Sequence, residues 1–159
     1  MILVPYVELD PRVVAAIPEP VCLESVAESE TAYFEVLSRY WGQDLIVIEH
    51  DIVIHDKVIP EFLACLEPWC AFPYRHRSGQ VAPALGCTRF RKELPDIMDE
   101  LGAISTTRTG RNDNSRPKIW QRLDTRIHLL LSERGYKCHV HTPEVEHLFY
   151  GWQFSEVKL

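Results

Sequence analysis

No apolar run in the 159-residue chain approaches the ~18 residues that a membrane span requires, which argues against a spanning protein. The opening Met1-Ile2-Leu3-Val4-Pro5 has no basic segment ahead of its short apolar run, so it does not read as a signal peptide. Basic residues are outnumbered. Seventeen Lys and Arg against 23 Asp and Glu leave a net charge of −6, which weighs against tight bulk binding to nucleic acid or to an anionic membrane. Cysteines are few and odd in number: Cys22, Cys65, Cys70, Cys87 and Cys138 form no paired framework, as suits a reducing compartment. Low-complexity segments and internal repeats are missing too, which excludes fibrous and solenoid architectures. The expectation is a soluble cytoplasmic protein (host cytoplasm if viral), with no membrane span and no strong nucleic-acid signal.

What the sequence does hold is an ordinary globular composition, 46% hydrophobic and 25% charged, with 11 prolines that punctuate rather than cluster. Residues 1–159 suit one domain. Ile2 to Val7 reads as a buried strand, and Asp10-Pro11 as the cap and first position of a short helix. Val21-Cys22-Leu23 is a second strand. Ser29 caps a helix carrying Tyr33, Val36, Leu37, Tyr40 and Trp41 and closed by Gly42. Leu45-Ile46-Val47-Ile48 is apolar on both faces, the mark of a central strand in a covered parallel sheet. The β-α-β-α-β order predicts an α/β layered fold, mostly parallel, with helices on both faces.

Further on, Asp56 caps a helix with Val58, Ile59, Phe62, Leu63 and Leu66, and Trp69 to Tyr74 is a strand. A loop through Gly79 and Pro83 leads to Leu85-Gly86-Cys87, then to a helical stretch broken by Pro95 and ended by Gly102. The polar stretch from Ala103 to Pro117 lacks periodicity and is expected to be a mobile loop. A long helix from Lys118 to Arg134 stops at Gly135. Lys137 to His141 is the last strand, followed by a tail with His147 and Trp152.

The chemistry concentrates after the central strand. Ile48 runs into Glu49-His50-Asp51, and ligands of open α/β sheets bind at such carboxyl ends. By alternation Glu49 and Asp51 share a face and can share one divalent cation. The plain alternative is a solvated strand end. His139 and His141 alternate onto one face about 7 Å apart, and His147 replaces them as a ligand if the chain turns back at Pro143. Two carboxylates with a nearby imidazole suit Mn2+ or Mg2+. Asp124 flanks the apolar stripe of Trp120, Leu123, Ile127, Leu130 and Leu131, so it needs a partner, Arg122 or Arg126, or a task. Cys65-x4-Cys70 is compatible with zinc, or with two small buried side chains.

Four features in order resemble a small glycosyltransferase of the GT-A type. They are the strand ending Val4-Pro5-Tyr6, Glu49-His50-Asp51 in place of a DxD motif, Leu85-Gly86-Cys87-Thr88-Arg89-Phe90-Arg91, and Trp120 to Asp124 leading to His139-Val140-His141. The likeness spans most of the chain and extends loosely to short bacteriophage proteins. It implies a single-domain Rossmann-like sheet and transfer of a sugar from a UDP- or GDP-sugar donor to an unknown acceptor. It further implies nucleotide contacts at Pro5, Tyr6 and Glu24, and a metal held by Asp51 and Glu49 with His139 or His141. Gly86 and Arg89 would border the sugar and acceptor, and Asp124 would be the base of an inverting reaction. Arg108, Arg111 and Arg116 would close with their loop over the donor. The chain is shorter than typical members, and its motif opens with Glu and centres on His. Two rival readings are a noncatalytic nucleotide-sugar binding module and a zinc-stabilised interaction domain using Cys65, Cys70, His139 and His141.

Overall fold

The computed structural model describes residues 1–148 apart from 19, 30, 77, 78 and 107–122. Its elements alternate in type. β1 (Ile2–Tyr6), α1 (Pro11–Ala15), β2 (Val21–Ser25), α2 (Ala32–Tyr40) and β3 (Leu45–Ile48) reproduce the β-α-β-α-β order of the sequence. Then follow β4 (Ile52–Val53), α3 (Val58–Ala64), β5 (Trp69–Arg75), β6 (Val81–Phe90), α4 (Met98–Thr106), α5 (Leu123–Glu133), β7 (His139–Val140) and β8 (Glu146–His147). Six strands form one mixed sheet in the order β2-β1-β3-β6-β5-β7, and β4 pairs with β8 beside it.

The sheet divides the core in two. Alternation along β1 sends Ile2 and Val4 to one face and Leu3 to the other; β3 does the same with Ile46 and Ile48 against Leu45 and Val47. Val13 of α1 and Val58, Ile59 and Phe62 of α3 cover the first face. Residues of α2, α4 and α5, among them Leu37, Leu101 and Leu131, cover the second. All four residues of β3 are buried, and burying each such aliphatic side chain is worth ~1.5–3 kcal/mol. This strand anchors the site that follows it. Among the described residues no helix is long and apolar enough to cross a membrane.

The sheet is covered on both faces, as β3 suggests, but it is mixed rather than parallel throughout. β3 runs parallel to β1 but antiparallel to β6, which is also antiparallel to β5. The cause is a hairpin. The His76 N–H donates to the Gln80 carbonyl at 2.8 Å and Gly79 takes a φ of 84°, so the chain reverses and β6 returns between β5 and β3. Pro83 therefore lies within a strand rather than a loop. It faces Pro73 next to a register irregularity, where a missing N–H is tolerated.

Other boundaries also differ from the sequence reading. The α2 cap position is Thr31, with the Ser29 hydroxyl accepting from the Thr31 N–H at 3.3 Å. Lys57, not Asp56, precedes α3; Leu63, inside the helix, is 70% exposed, and Leu66, past its end at Ala64, is 86% exposed. Gly102 lies inside α4, where a Cβ would come within 3.0 Å of the Phe34 ring. Close packing, not a helix stop, accounts for that glycine. Residues 103–106 of the expected loop belong to α4. Its remainder, the start of the long helix at 118–122, and Trp152 fall outside the described residues. Asp10 caps α1 as expected, accepting from the Arg12 N–H at 2.7 Å, and Gly135 ends α5 with a φ of 84°.

Candidate functional site

The carboxyl ends of β1 and β3 lie side by side because the two strands are parallel neighbours. A cavity of about 120 Å³ opens there, lined by Pro5, Val26, Tyr33, Glu49, His50 and Asp51 among others. β3 delivers Glu49 directly into its wall, and the Glu49 N–H donates to the Gly86 carbonyl at 2.9 Å. The Tyr33 hydroxyl, from α2, donates to Glu49 Oε1 at 2.8 Å. Gly86 approaches from β6 on the other side: a Cβ there would lie 2.8 Å from the Tyr74 hydroxyl and 2.9 Å from Glu49 Oε2. Burial first, and then the charge of Asp51, push the Glu49 carboxyl up to about 7. A carboxylate in this position is short of positive charge.

Asp51 shows the same deficit in its geometry. Its Oδ2 faces His147 Nε2 at 3.1 Å, while its Oδ1 is buried without a hydrogen-bond partner. His147 arrives on β8, whose pairing with β4 sets Ile52 opposite His147 and lets the Leu148 N–H donate to the Asp51 carbonyl at 2.7 Å. The other ring nitrogen, Nδ1, lies 2.9 Å from the Arg75 carbonyl and so donates to it. That leaves Nε2 facing an anion. Two species satisfy the arrangement: a proton on Nε2, or a cation shared between Nε2 and the carboxylate. Burial lowers the His147 pKa, but hydrogen bonds to Asp51 and Arg75 and the charges of Asp51 and Glu49 outweigh it, so the net shift is upward. A carbonyl held by one ring nitrogen is the usual outer support of a metal-ligating imidazole, and Asp51 and His147 offer one oxygen and one nitrogen donor to any shared cation. Glu49 stands further off: among the described residues, no three ligand-type atoms that include Glu49 lie within 4.8 Å of one another.

Asp124 sits in the first turn of α5, where its carboxylate accepts from the Thr125 N–H at 2.6 Å. It lines a second cavity of about 250 Å³ with Trp69, Pro83, Leu85, Phe90 and His128. Its charge reaches the first cavity. It contributes to the upward shifts of Glu49 and of Tyr74, though burial is the larger cause in both. The two cavities meet neighbouring residues of β6: Leu85 lines one, and Gly86 stands beside the Glu49 carboxylate of the other.

Several residues singled out in the sequence have other occupations. Glu24 projects from β2 toward α2, where it pairs with Arg39 at 2.9 Å and accepts the Tyr40 hydroxyl; the Tyr40 hydrogen bond and the Arg39 charge hold its carboxyl below the usual range. Tyr6 ends β1 opposite Ser25. Arg89 is 6% exposed and donates to the carbonyls of Phe62, Cys65 and Glu67. It closes the carbonyl end of α3 and lines neither of the two cavities described above. His139 and His141 are drawn away by the short pairing of β7 with β5, which sets His139 beside Cys70. Tyr74, beside Gly86, stands four residues further along β5, roughly 13 Å away by strand rise. The one metal set expected from Glu49, Asp51, His139 and His141 is therefore split, and His147 takes the histidine position next to Asp51.

Tyr33 and Tyr74 are the site residues that sequence reading passes over. Tyr33 counts there only as one apolar position of a helix, yet a buried tyrosine hydroxyl needs a partner. A comparison with protein-family models, curated proteins and solved structures finds no match to this chain.

Proposed function

We propose that the chain is a metal-dependent glycosyltransferase of GT-A type, moving a sugar from a UDP- or GDP-sugar to an acceptor. The observation that carries this reading is the Asp51–His147 pair, with its orphaned carboxylate oxygen, at the carboxyl end of the central strand. Supporting it, five strands of the main sheet share one direction and only β6 opposes them, and helices cover both faces. That arrangement is compatible with a single Rossmann-like domain. Asp51 and His147 would hold Mn2+ or Mg2+, with Glu49 beside them. When bound, the cation offsets the negative charge that grows on the departing nucleoside diphosphate.

The chain's own groups perform the rest. Pro5 and the end of β1 flank the nucleotide in the smaller cavity, and the larger cavity takes the acceptor. The bond between the anomeric carbon and the diphosphate oxygen breaks as the acceptor oxygen bonds to that carbon. Asp124 takes the acceptor's proton in the same event, the general-base role open to a carboxylate that opens on a cavity. Tyr33 holds Glu49 in place through its hydroxyl.

Thermal denaturation with UDP- and GDP-sugars, with and without manganese, tests the reading. One donor should raise the Tm only with metal, because native-state binding must stabilise. Asp124→Asn should keep that shift and lose turnover, which separates the enzyme from a noncatalytic binding module. A chain that melts cooperatively and responds to no donor overturns the proposal.

A further inference from the structure

A second group of donors lies at the far end of β5. Cys65 forms the C-cap of α3, with extended backbone (φ −64°, ψ 129°), and His139 and His141 project from the β7 edge of the sheet. One donor atom from each of Cys65, His139 and His141 lies within 4.8 Å of the other two. The two rings meet edge to face at 4.7 Å and 85°. The His141 side chain is only 10% exposed; its Nδ1 lies 3.3 Å from Glu61 Oε2, and its Nε2 is buried with no hydrogen-bond partner. An imidazole stacked on Phe72 at 4.8 Å, edged by Phe62 and steered by a carboxylate, has one lone pair to which no described protein group donates. Leaving such a nitrogen unpaired is costly.

We propose that Cys65, His139 and His141 form a zinc site, separate from the sugar-transfer site and independent of that function. One sulfur and two imidazole nitrogens are the donors zinc prefers, at ~2.3 Å and ~2.0–2.1 Å from the ion, which sets ligand atoms roughly 3.3–3.6 Å apart in a tetrahedron. The trio closes to that spacing with side-chain adjustments alone, since His139 is exposed and free to turn. Glu61 acts on His141 as an outer partner, fixing Nδ1 as the protonated nitrogen and Nε2 as the ligand. The Arg89 guanidinium donates to the Cys65 carbonyl at 3.0 Å and so fixes the backbone that carries the thiol. Cys70 lies beside Cys65 but is fully buried and outside the trio, so the exposed side of His139 leaves the fourth position to water. Bound zinc would tie the end of α3 to the edge strand β7.

Metal content and cobalt substitution of the full chain test this. The purified protein, dialysed against zinc-free buffer, should retain one zinc per chain. Cobalt-loaded protein should show a thiolate-to-metal charge-transfer band. Cys65→Ala and His139→Ala should lose both signals, while Cys70→Ala and Cys138→Ala keep them. Glu61→Gln should weaken zinc by ~10–100-fold, the usual effect of removing an outer partner. Circular dichroism checks that each variant folds, and the exposed His139 gives a decisive variant should Cys65→Ala not fold. Absence of tight zinc, zinc bound without the band, or zinc retained in folded His139→Ala each overturns the assignment.

Discussion

Glu49 is enclosed by Tyr33 and Gly86 beside the charge of Asp51, and the imidazole of His147 offsets its charge only in part. Its carboxyl is raised to about 7 from an ordinary 4.5. Between those values the folded chain holds a proton that the unfolded chain has lost, so this group's contribution to stability falls as pH rises from about 4.5 to 7 and then levels off. Glu49→Gln removes the titration while its amide oxygen still accepts from Tyr33. In metal-free buffer the variant should gain on wild type across that window, by about 1–3 kcal/mol at neutral pH after allowance for partial exposure. Urea unfolding of both proteins at pH 4.5, 6 and 8 measures it. A difference independent of pH would show that Glu49 carries its charge freely. The residue types of this site were legible in the sequence, because Glu49 and Asp51 directly follow an apolar strand. Their separate tasks were not, since Tyr33, Gly86 and His147 reach them from distant positions in the chain.

At the scale of elements, the hairpin of β5 and β6 decides where those residues meet. The sequence marks of a turn, Gly79 and Pro83, were read together as a loop, and a ten-residue strand went unseen. Pro83 misleads because strands rarely admit proline, and the register irregularity that excuses it involves Pro73 on the partner strand. Periodicity does recover β1, α2, β3 and β5, whose apolar patterns are local. Nothing local tells that β7 pairs with β5 at Cys70, which is why the distance of His139 and His141 from Glu49 and Asp51 is not legible in the sequence. The hairpin also brings Gly86 against Glu49 and Tyr74, so Gly86→Ala should be felt at once. An added Cβ 2.8 Å from a buried tyrosine hydroxyl forces a shift, and overpacking of this kind costs about 1–3 kcal/mol. The same displacement moves Glu49 and should weaken manganese-dependent donor binding. Denaturant unfolding and donor titration of Gly86→Ala test the pair of effects. Unchanged stability would mean that Tyr74 moves freely, contrary to its 5% exposure.

Across the whole molecule, β5 is the rod that separates two polar centres. At one end its Arg75 carbonyl accepts from His147, which faces Asp51; at the other Cys70 stands beside Cys65 and opposite His139. The intervening Phe72 is fully buried and packs on Phe62 and on His141. Groups separated by more than ~7–10 Å without shared partners act additively. The two centres should therefore be separable by mutation. Asp51→Asn should abolish stabilisation by manganese and leave the cobalt–thiolate band intact. His139→Ala should abolish the band and leave the manganese response within about 0.5 kcal/mol of wild type. The sequence alone predicts the reverse coupling, with His139 or His141 sharing one ion with Asp51, so His139→Ala is the variant on which the two pictures differ most. Melting curves with manganese and absorption spectra with cobalt, recorded on both variants, decide between them. A loss of the manganese response in His139→Ala would return the histidines to the carboxylate site and require β7 to lie elsewhere. Retention of both the band and the manganese response in Asp51→Asn would instead remove Asp51 from metal binding and leave the Asp51–His147 pair as a buried ion pair.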